Sequence, residues 1–209
     1  MTISLPKPRT AFTAATRSNS PPWYVDALGM LTPIMKLLFG LMVITTMSCQ
    51  PARPATTCSQ VAIVGDSLTV EGSGELHDLL PDAIINARGG RTTAQAVEAA
   101  KGIEESNDVD CWVFAIGTND LFFDVPTDVS RQAVADLLAI ADIDRVVWVL
   151  VEYGQGIYAQ QSPERFNALI PASVISVTPG VAAAESVDGV HLSEEGYEAR
   201  AAAIVAALP

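Results

Sequence analysis

The fold class this sequence predicts is α/β: a three-layer α/β/α sandwich built on a five-stranded parallel sheet. Three observations carry it. From residue 58 onward, five short apolar runs rich in β-branched residues recur along the chain. Helical patterns fall between them. The first four runs end in glycine or in clusters of polar residues.

Val61-Ala62-Ile63-Val64 is apolar throughout and ends at Gly65-Asp66, which suits a strand buried on both faces. Ala83-Ile84-Ile85-Asn86-Ala87 is the second run, followed by Gly89-Gly90. Cys111-Trp112-Val113-Phe114-Ala115-Ile116 is the third, stopped by Gly117. Residues 145–151 form the fourth and residues 173–177 the fifth. Helical patterns span 92–104, 127–141, 163–171 and 194–207, and a short one surrounds His77. There is no internal repeat and no sign of a second domain. Ligand sites in such sheets lie beyond the carboxyl ends of the strands. The unusual polar residues fall there: Asp66-Ser67, Gly89-Gly90-Arg91, Gly117-Thr118-Asn119-Asp120 and Glu152-Tyr153-Gly154.

The chain has 209 residues, room for one ordinary domain plus a leader. Its hydrophobic content of 49% excludes a disordered chain. Residues 1–49 hold Lys7, Arg9, Arg17 and Lys36 against Asp26, a formal charge of +3. The remainder keeps 8 of the 12 basic and 23 of the 24 acidic residues, a net of −15. Such a surface repels phosphate backbones and argues against a nucleic-acid partner.

Residues 1–49 read as a leader and residues 50–57 as a Pro-rich tether, with the domain proper at 58–209. Met35-Lys36-Leu37-Leu38-Phe39-Gly40-Leu41-Met42-Val43-Ile44 places a cation before a short apolar core. Small and polar residues close it at Ser48-Cys49. This is signal-peptide anatomy, since a spanning helix needs roughly 20 apolar residues. Met35 followed by Lys36 would itself open a complete leader, so the true start is expected at Met35 or Met30. Cys49, preceded by a small residue, resembles a bacterial lipoprotein processing site and is a lipidation candidate, although Thr46 stands where that pattern prefers an aliphatic residue. Lipidation, ordinary cleavage and an uncleaved anchor all remain open. Each puts the domain outside the cytoplasm, in the periplasm or cell envelope or secreted, and two of them attach it to a membrane.

Acyl-bond hydrolysis at neutral pH needs a nucleophile, a base, a group that orients the base, and donors for the oxyanion. Of the two histidines, His77 reads as a helix-face residue. His191 lies in Asp188-Gly189-Val190-His191-Leu192-Ser193, a glycine-containing loop before the last helix. The three-residue spacing lets the Asp188 carboxylate fold back to the imidazole. Ser67 also reads as a helix N-cap and Asn119 as an Asx turn, so each residue alone is ambiguous. No grouping of His, Cys and carboxylates suggests a metal. No Gly-x-Gly-x-x-Gly or phosphate loop appears, and no cofactor is implied.

Four blocks occur in order: Gly65-Asp66-Ser67-Leu68, Gly90 ahead of Arg91, Gly117-Thr118-Asn119-Asp120, and Asp188-Gly189-Val190-His191. Together they resemble the successive blocks of the SGNH hydrolases, the GDSL esterase/lipase superfamily, across residues 60 to 207. The resemblance implies a flavodoxin-like fold with Ser67 as nucleophile, His191 as general base and Asp188 as its orienting partner. It implies an oxyanion hole from the N–H groups of Ser67 and Gly90 and the side-chain amide of Asn119. The Gly-x-Ser-x-Gly elbow of the α/β-hydrolases is absent, since Leu68-Thr69 follows Ser67.

The family spans esterases, thioesterases, lysophospholipases, carbohydrate O-acetyl esterases and acyltransferases. The expected partner is a small-molecule or glycan acyl ester, of short chain or O-acetyl type. A ligand-binding lipoprotein without turnover is the rival class. Leu121-Phe122-Phe123 reads either as one wall of a shallow acyl site or, more commonly for such residues, as core and loop anchors. In the family's sheet order the first and third strands are neighbours. That order brings Cys58 and Cys111 to similar depth and implies a disulfide in an oxidising compartment. Two buried free thiols are the alternative.

Overall fold

The three central apolar runs become strands buried on both faces, because helices cover the sheet on both sides. In the computed structural model of the protein, residues 57–153, 162–180 and 188–209 are described, all within a unit spanning Ala52–Pro209. The leader with Cys49, residues 50–56 of the tether, and Gly154 lie outside the described residues. The strands are β1 (Val61–Gly65), β2 (Ile84–Ala87), β3 (Cys111–Ala115), β4 (Val146–Val149) and β5 (Ile175–Val177). Between and after them run α1 (Ser67–Glu71), α2 (Ser73–Leu79), α3 (Thr93–Glu104), α4 (Thr118–Phe122), α5 (Thr127–Ile140), α6 (Pro163–Asn167) and α7 (Glu194–Ala206). No helix among the described residues is long and apolar enough to cross a membrane.

Every strand pair is parallel, and the sheet order is β2-β1-β3-β4-β5. The period of two divides each central strand between two cores. Ala62, Val64, Trp112, Phe114, Val146 and Trp148 pack with Ala96, Ala100 and Leu137 of α3 and α5. Val61, Ile63, Val113 and Val147 pack on the other side with Leu76, Ile204 and Val205 of α2 and α7. A strand lined on both sides has no polar alternation, which is why these runs read as unbroken apolar stretches.

The chain leaves β1 towards β2 on one side and later enters β3 on the other. The carboxyl ends of β1 and β3 therefore flank a topological switch point, where such sheets open a crevice. The third helical pattern is shorter than its expected 163–171, because α6 stops at Asn167. Leu169 and Ile170 turn back with N–H bonds to the carbonyls of Phe166 and Asn167. The Asn167 side chain meanwhile accepts from the Val151 N–H at 2.9 Å and donates to its carbonyl at 3.0 Å. An amide thus serves as strand partner beyond the end of β4, a role that apolar periodicity does not report.

Cys58 and Cys111 are joined, with a Cα–Cα distance of 5.7 Å across 53 residues. Cys111 opens β3 opposite Val61 of β1, so the bond fastens the start of the domain to the bottom of the sheet. The one grouping of His, Cys and acidic residues tight enough for a metal among the described residues is Cys58, Asp110 and Cys111. Its two sulfurs are committed to the disulfide. Asp110 accepts from the N–H and hydroxyl of Ser59 and from the N–H of Gln60.

Candidate active site

At the end of β1 the buried carboxylate of Asp66 caps α1, with Oδ1 accepting the Leu68 N–H at 3.1 Å. The N-cap role open to Ser67 thus falls to Asp66, and Ser67 takes the first helical position with its hydroxyl at the crevice. His191 Nε2 lies 3.1 Å from Ser67 Oγ. His191 Nδ1 lies 2.9 Å from Asp188 Oδ2. The other Asp188 oxygen accepts the N–H groups of Val190 and His191 at 2.9 and 2.8 Å, so the loop folds onto its own carboxylate. The Nδ1–H donates to Asp188 and leaves the Nε2 lone pair facing the serine hydroxyl.

The Asp188 carboxyl is held down at about 2 by the hydrogen bonds it accepts from the His191 ring and backbone. Partial burial works against a charged His191. The Asp188 hydrogen bond and the charges of Glu71, Asp188 and Asp66 outweigh it, leaving the imidazole above its ordinary value. Burial pushes the Asp66 carboxyl up, against the charge of Arg200 and the hydrogen bonds it accepts.

Gly90 follows β2 with φ +71, a left-handed backbone that favours glycine. The neighbouring Arg91 is buried and fixes this loop. Its guanidinium donates to the carbonyls of Gly65 and Asn86 and, at 2.7 Å, to Asn86 Oδ1. Gly117 after β3 has φ +123 and no room for a side chain, since a Cβ would lie 2.3 Å from the Phe166 ring. The turn carries Asn119 into the crevice, where its amide donates to the Arg91 carbonyl at 3.1 Å. Asp120, buried beside it, accepts from the Thr93 N–H and hydroxyl and from Ser130 Oγ at 2.7, 2.9 and 2.8 Å. This pins α4 to α3 and α5.

Ser67, Gly90, Asn119 and His191 open onto one pocket of about 290 Å³, walled by Thr118, Phe122, Phe123, Tyr153 and Val190. Tyr153 donates to the Thr118 carbonyl at 3.0 Å. Phe122 and Phe123 stand edge to face and are 47% and 55% exposed. The reading as core anchors holds for buried Leu121 and fails for these two, which line the pocket. Glu152 accepts the Gly180 N–H at 3.1 Å, and His77 is exposed on α2.

A hydroxyl, an imidazole and a carboxylate in series, beside a concavity lined by Gly90 and Asn119, is an arrangement suited to nucleophilic acyl transfer. The fold has solved relatives. A GDSL-like lipase of Bacteroides thetaiotaomicron is 18% identical with a TM-score of 0.58, over 71% of this chain and 86% of that one. The lipase/acylhydrolase of Enterococcus faecalis is 18% identical with a TM-score of 0.59, over 70% and 93%. The catalytic domain of Streptococcus pneumoniae peptidoglycan O-acetyltransferase A is 17% identical with a TM-score of 0.55, over 71% and 91%. The chain has the SGNH-hydrolase fold. No family model matches the chain, and no curated protein matches it in sequence.

Local sequence signals do not single out Glu71, whose Oε1 lies 3.7 Å from His191 Nε2 and whose Oε2 accepts from Tyr197 Oη at 2.8 Å. A carboxylate four residues after Ser67 in a short helix was the available signal. The buried Arg200 of α7 was also missed, since it sits in an alanine-rich helix with nothing local to mark it.

Proposed function

We propose that this chain is a serine hydrolase of carboxylic esters acting outside the cytoplasm. Ser67 is its nucleophile, His191 its general base and Asp188 the group that orients the base. The observation that carries this reading is the continuous series from Ser67 Oγ to His191 at 3.1 Å and from His191 to Asp188 at 2.9 Å, at the mouth of the pocket. In the acylation step Nε2 takes the Ser67 proton as Oγ bonds to the acyl carbon. The oxyanion that forms accepts from the N–H groups of Ser67 and Gly90 and the Asn119 amide. Nε2 then gives its proton to the departing alcohol, and water repeats the cycle on the acyl-serine.

The pocket's modest volume and its Phe122–Phe123 wall support short acyl groups, O-acetyl esters among them. A peptidoglycan O-acetyltransferase domain among the chains of similar fold supports the same acyl size. Transfer to a second alcohol differs from hydrolysis only in the acceptor. The charged-then-apolar leader supports export, with Cys49 either lipidated or lost with the leader. Uptake of labelled palmitate that disappears in Cys49→Ser separates those two fates.

The deciding experiment is turnover of p-nitrophenyl esters from acetate to laurate by the wild type beside Ser67→Ala and His191→Ala. Loss of turnover in both variants, with unchanged melting, supports the reading. A ligand-binding protein would turn over none of them.

A further inference from the structure

His191 Nε2 has two neighbours of consequence, Ser67 Oγ at 3.1 Å and Glu71 Oε1 at 3.7 Å. Glu71 lies one helical turn beyond Ser67 in α1, which puts both side chains on one face. Its second oxygen, Oε2, accepts from Tyr197 Oη at 2.8 Å. Tyr197 Oη in turn accepts the Leu192 N–H at 3.3 Å, next to His191 in the chain. Tyr197 is buried, whereas the Glu71 side chain is 47% exposed. The carboxylate is thus fixed through Oε2, while Oε1 faces His191 Nε2 on a half-exposed side chain. Among the described residues no lysine or arginine forms an ion pair with it.

The acyl pocket lies on the side of Gly90, Asn119, Phe122 and Phe123, and Glu71 is not part of its wall. When the ester C–O bond breaks, its electron pair stays on the alcohol oxygen, and the acyl carbon remains bonded to Ser67 Oγ. That oxygen takes from Nε2 the proton Nε2 removed from Ser67. The departing alcohol therefore passes within hydrogen-bond reach of Nε2 and close to Glu71.

We propose that Glu71, anchored by Tyr197, forms a leaving-group subsite that selects esters of alcohols bearing an ammonium group close to the ester oxygen. The inference rests on the serine-hydrolase reading above. The net charge of −15 beyond residue 49 draws cations to the domain as a whole. An anionic alcohol is disfavoured on both counts.

The test compares a choline ester with its neutral isostere, in which a tert-butyl group replaces trimethylammonium and the acyl group is unchanged. The readout is the ratio of the two kcat/KM values, in which effects on His191 common to both substrates cancel. The wild type is expected to favour the choline ester. Glu71→Gln should lower the ratio roughly two- to five-fold, the size of one partly exposed ion pair. Glu71→Lys should lower it further, and added salt should lower it more in the wild type than in Glu71→Gln. Turnover of both esters at a ratio that neither variant changes overturns the subsite and leaves the hydrolase reading standing. No turnover of either ester, or of p-nitrophenyl acetate, overturns the hydrolase reading and the subsite with it.

Discussion

The side-chain amide of Asn119 donates to the main-chain carbonyl of Arg91 at 3.1 Å, joining the helix after β3 to the loop after β2. Arg91 is itself held by the carbonyls of Gly65 and Asn86. The ends of β1, β2 and β3 are therefore locked together through one guanidinium and one amide. The bond uses one of the two N–H groups of Asn119, fixes the plane of the amide, and leaves the other for an oxyanion. Asn119→Ala is expected to lower kcat on the order of 10²–10³-fold, the usual loss of one oxyanion donor. Turnover equal to the wild type would remove Asn119 from that role.

The second prediction is the pH dependence of kcat/KM. His191 must be neutral to act as base, so activity rises with pH as the imidazole loses its proton. Its pKa is raised above the ordinary 6.5 in the folded protein, which places the acid limb above that value. The groups responsible are Asp188 beside Nδ1, Glu71 beside Nε2, and Asp66 at the end of β1. Glu71→Gln removes one of these charges and should move the limb towards lower pH. An acid limb below 6.5 in the wild type, or one unmoved by the substitution, contradicts this assignment.

Much of the fold was legible because the central strands are short, apolar on both faces and, like β2, followed by glycine or polar residues. Ser67, Gly90 and Asn119 stood out because each follows a strand where a sheet of this kind opens its crevice, and Asp188 and His191 because they share a glycine-containing loop before the last helix. What escaped depends on contacts between distant segments. Tyr197 and Glu71 are 126 residues apart, and a lone glutamate in a one-turn helix looks like any solvated residue. Phe122 and Phe123 stayed open between pocket wall and anchor, because an apolar type does not distinguish the two; both line the pocket. Asn167 cut α6 short through bonds to Val151, 16 residues away, which no helical period anticipates.

The third prediction concerns stability. The Cys58–Cys111 bond spans 53 residues, and the chain-entropy model assigns a loop of that length about 4 kcal/mol. Urea unfolding of the domain with and without reductant should show a lower midpoint when reduced, and an unfolding free energy lower by an amount of that order. Thiol titration of the denatured, unreduced domain should find neither Cys58 nor Cys111 reactive. Equal midpoints would mean that the bond constrains nothing.

The last prediction concerns the charges beneath the site. Arg200 of α7 and Asp66 at the end of β1 are 5% and 1% exposed, and both line a small cavity of about 30 Å³ together with Thr118 and Glu152. The field of Arg200 favours the ionised form of Asp66, and the fields of Asp66 and Glu152 favour the charge on Arg200. Buried charges are tolerated when opposite charges offset their desolvation, and removing one partner leaves the other uncompensated. Arg200→Met keeps most of the side-chain volume and removes the charge, so Asp66 and Glu152 would face each other across the cavity without it. The expected loss is on the order of 3 kcal/mol in urea unfolding at pH 7. Lowering the pH should recover part of it, because a protonated Asp66 needs no counter-charge. Pairing Arg200→Met with Asp66→Asn should likewise cost less than the sum of the two single changes. Strict additivity would mean that the two charges do not support each other, and that Arg200 holds α7 in place by packing alone.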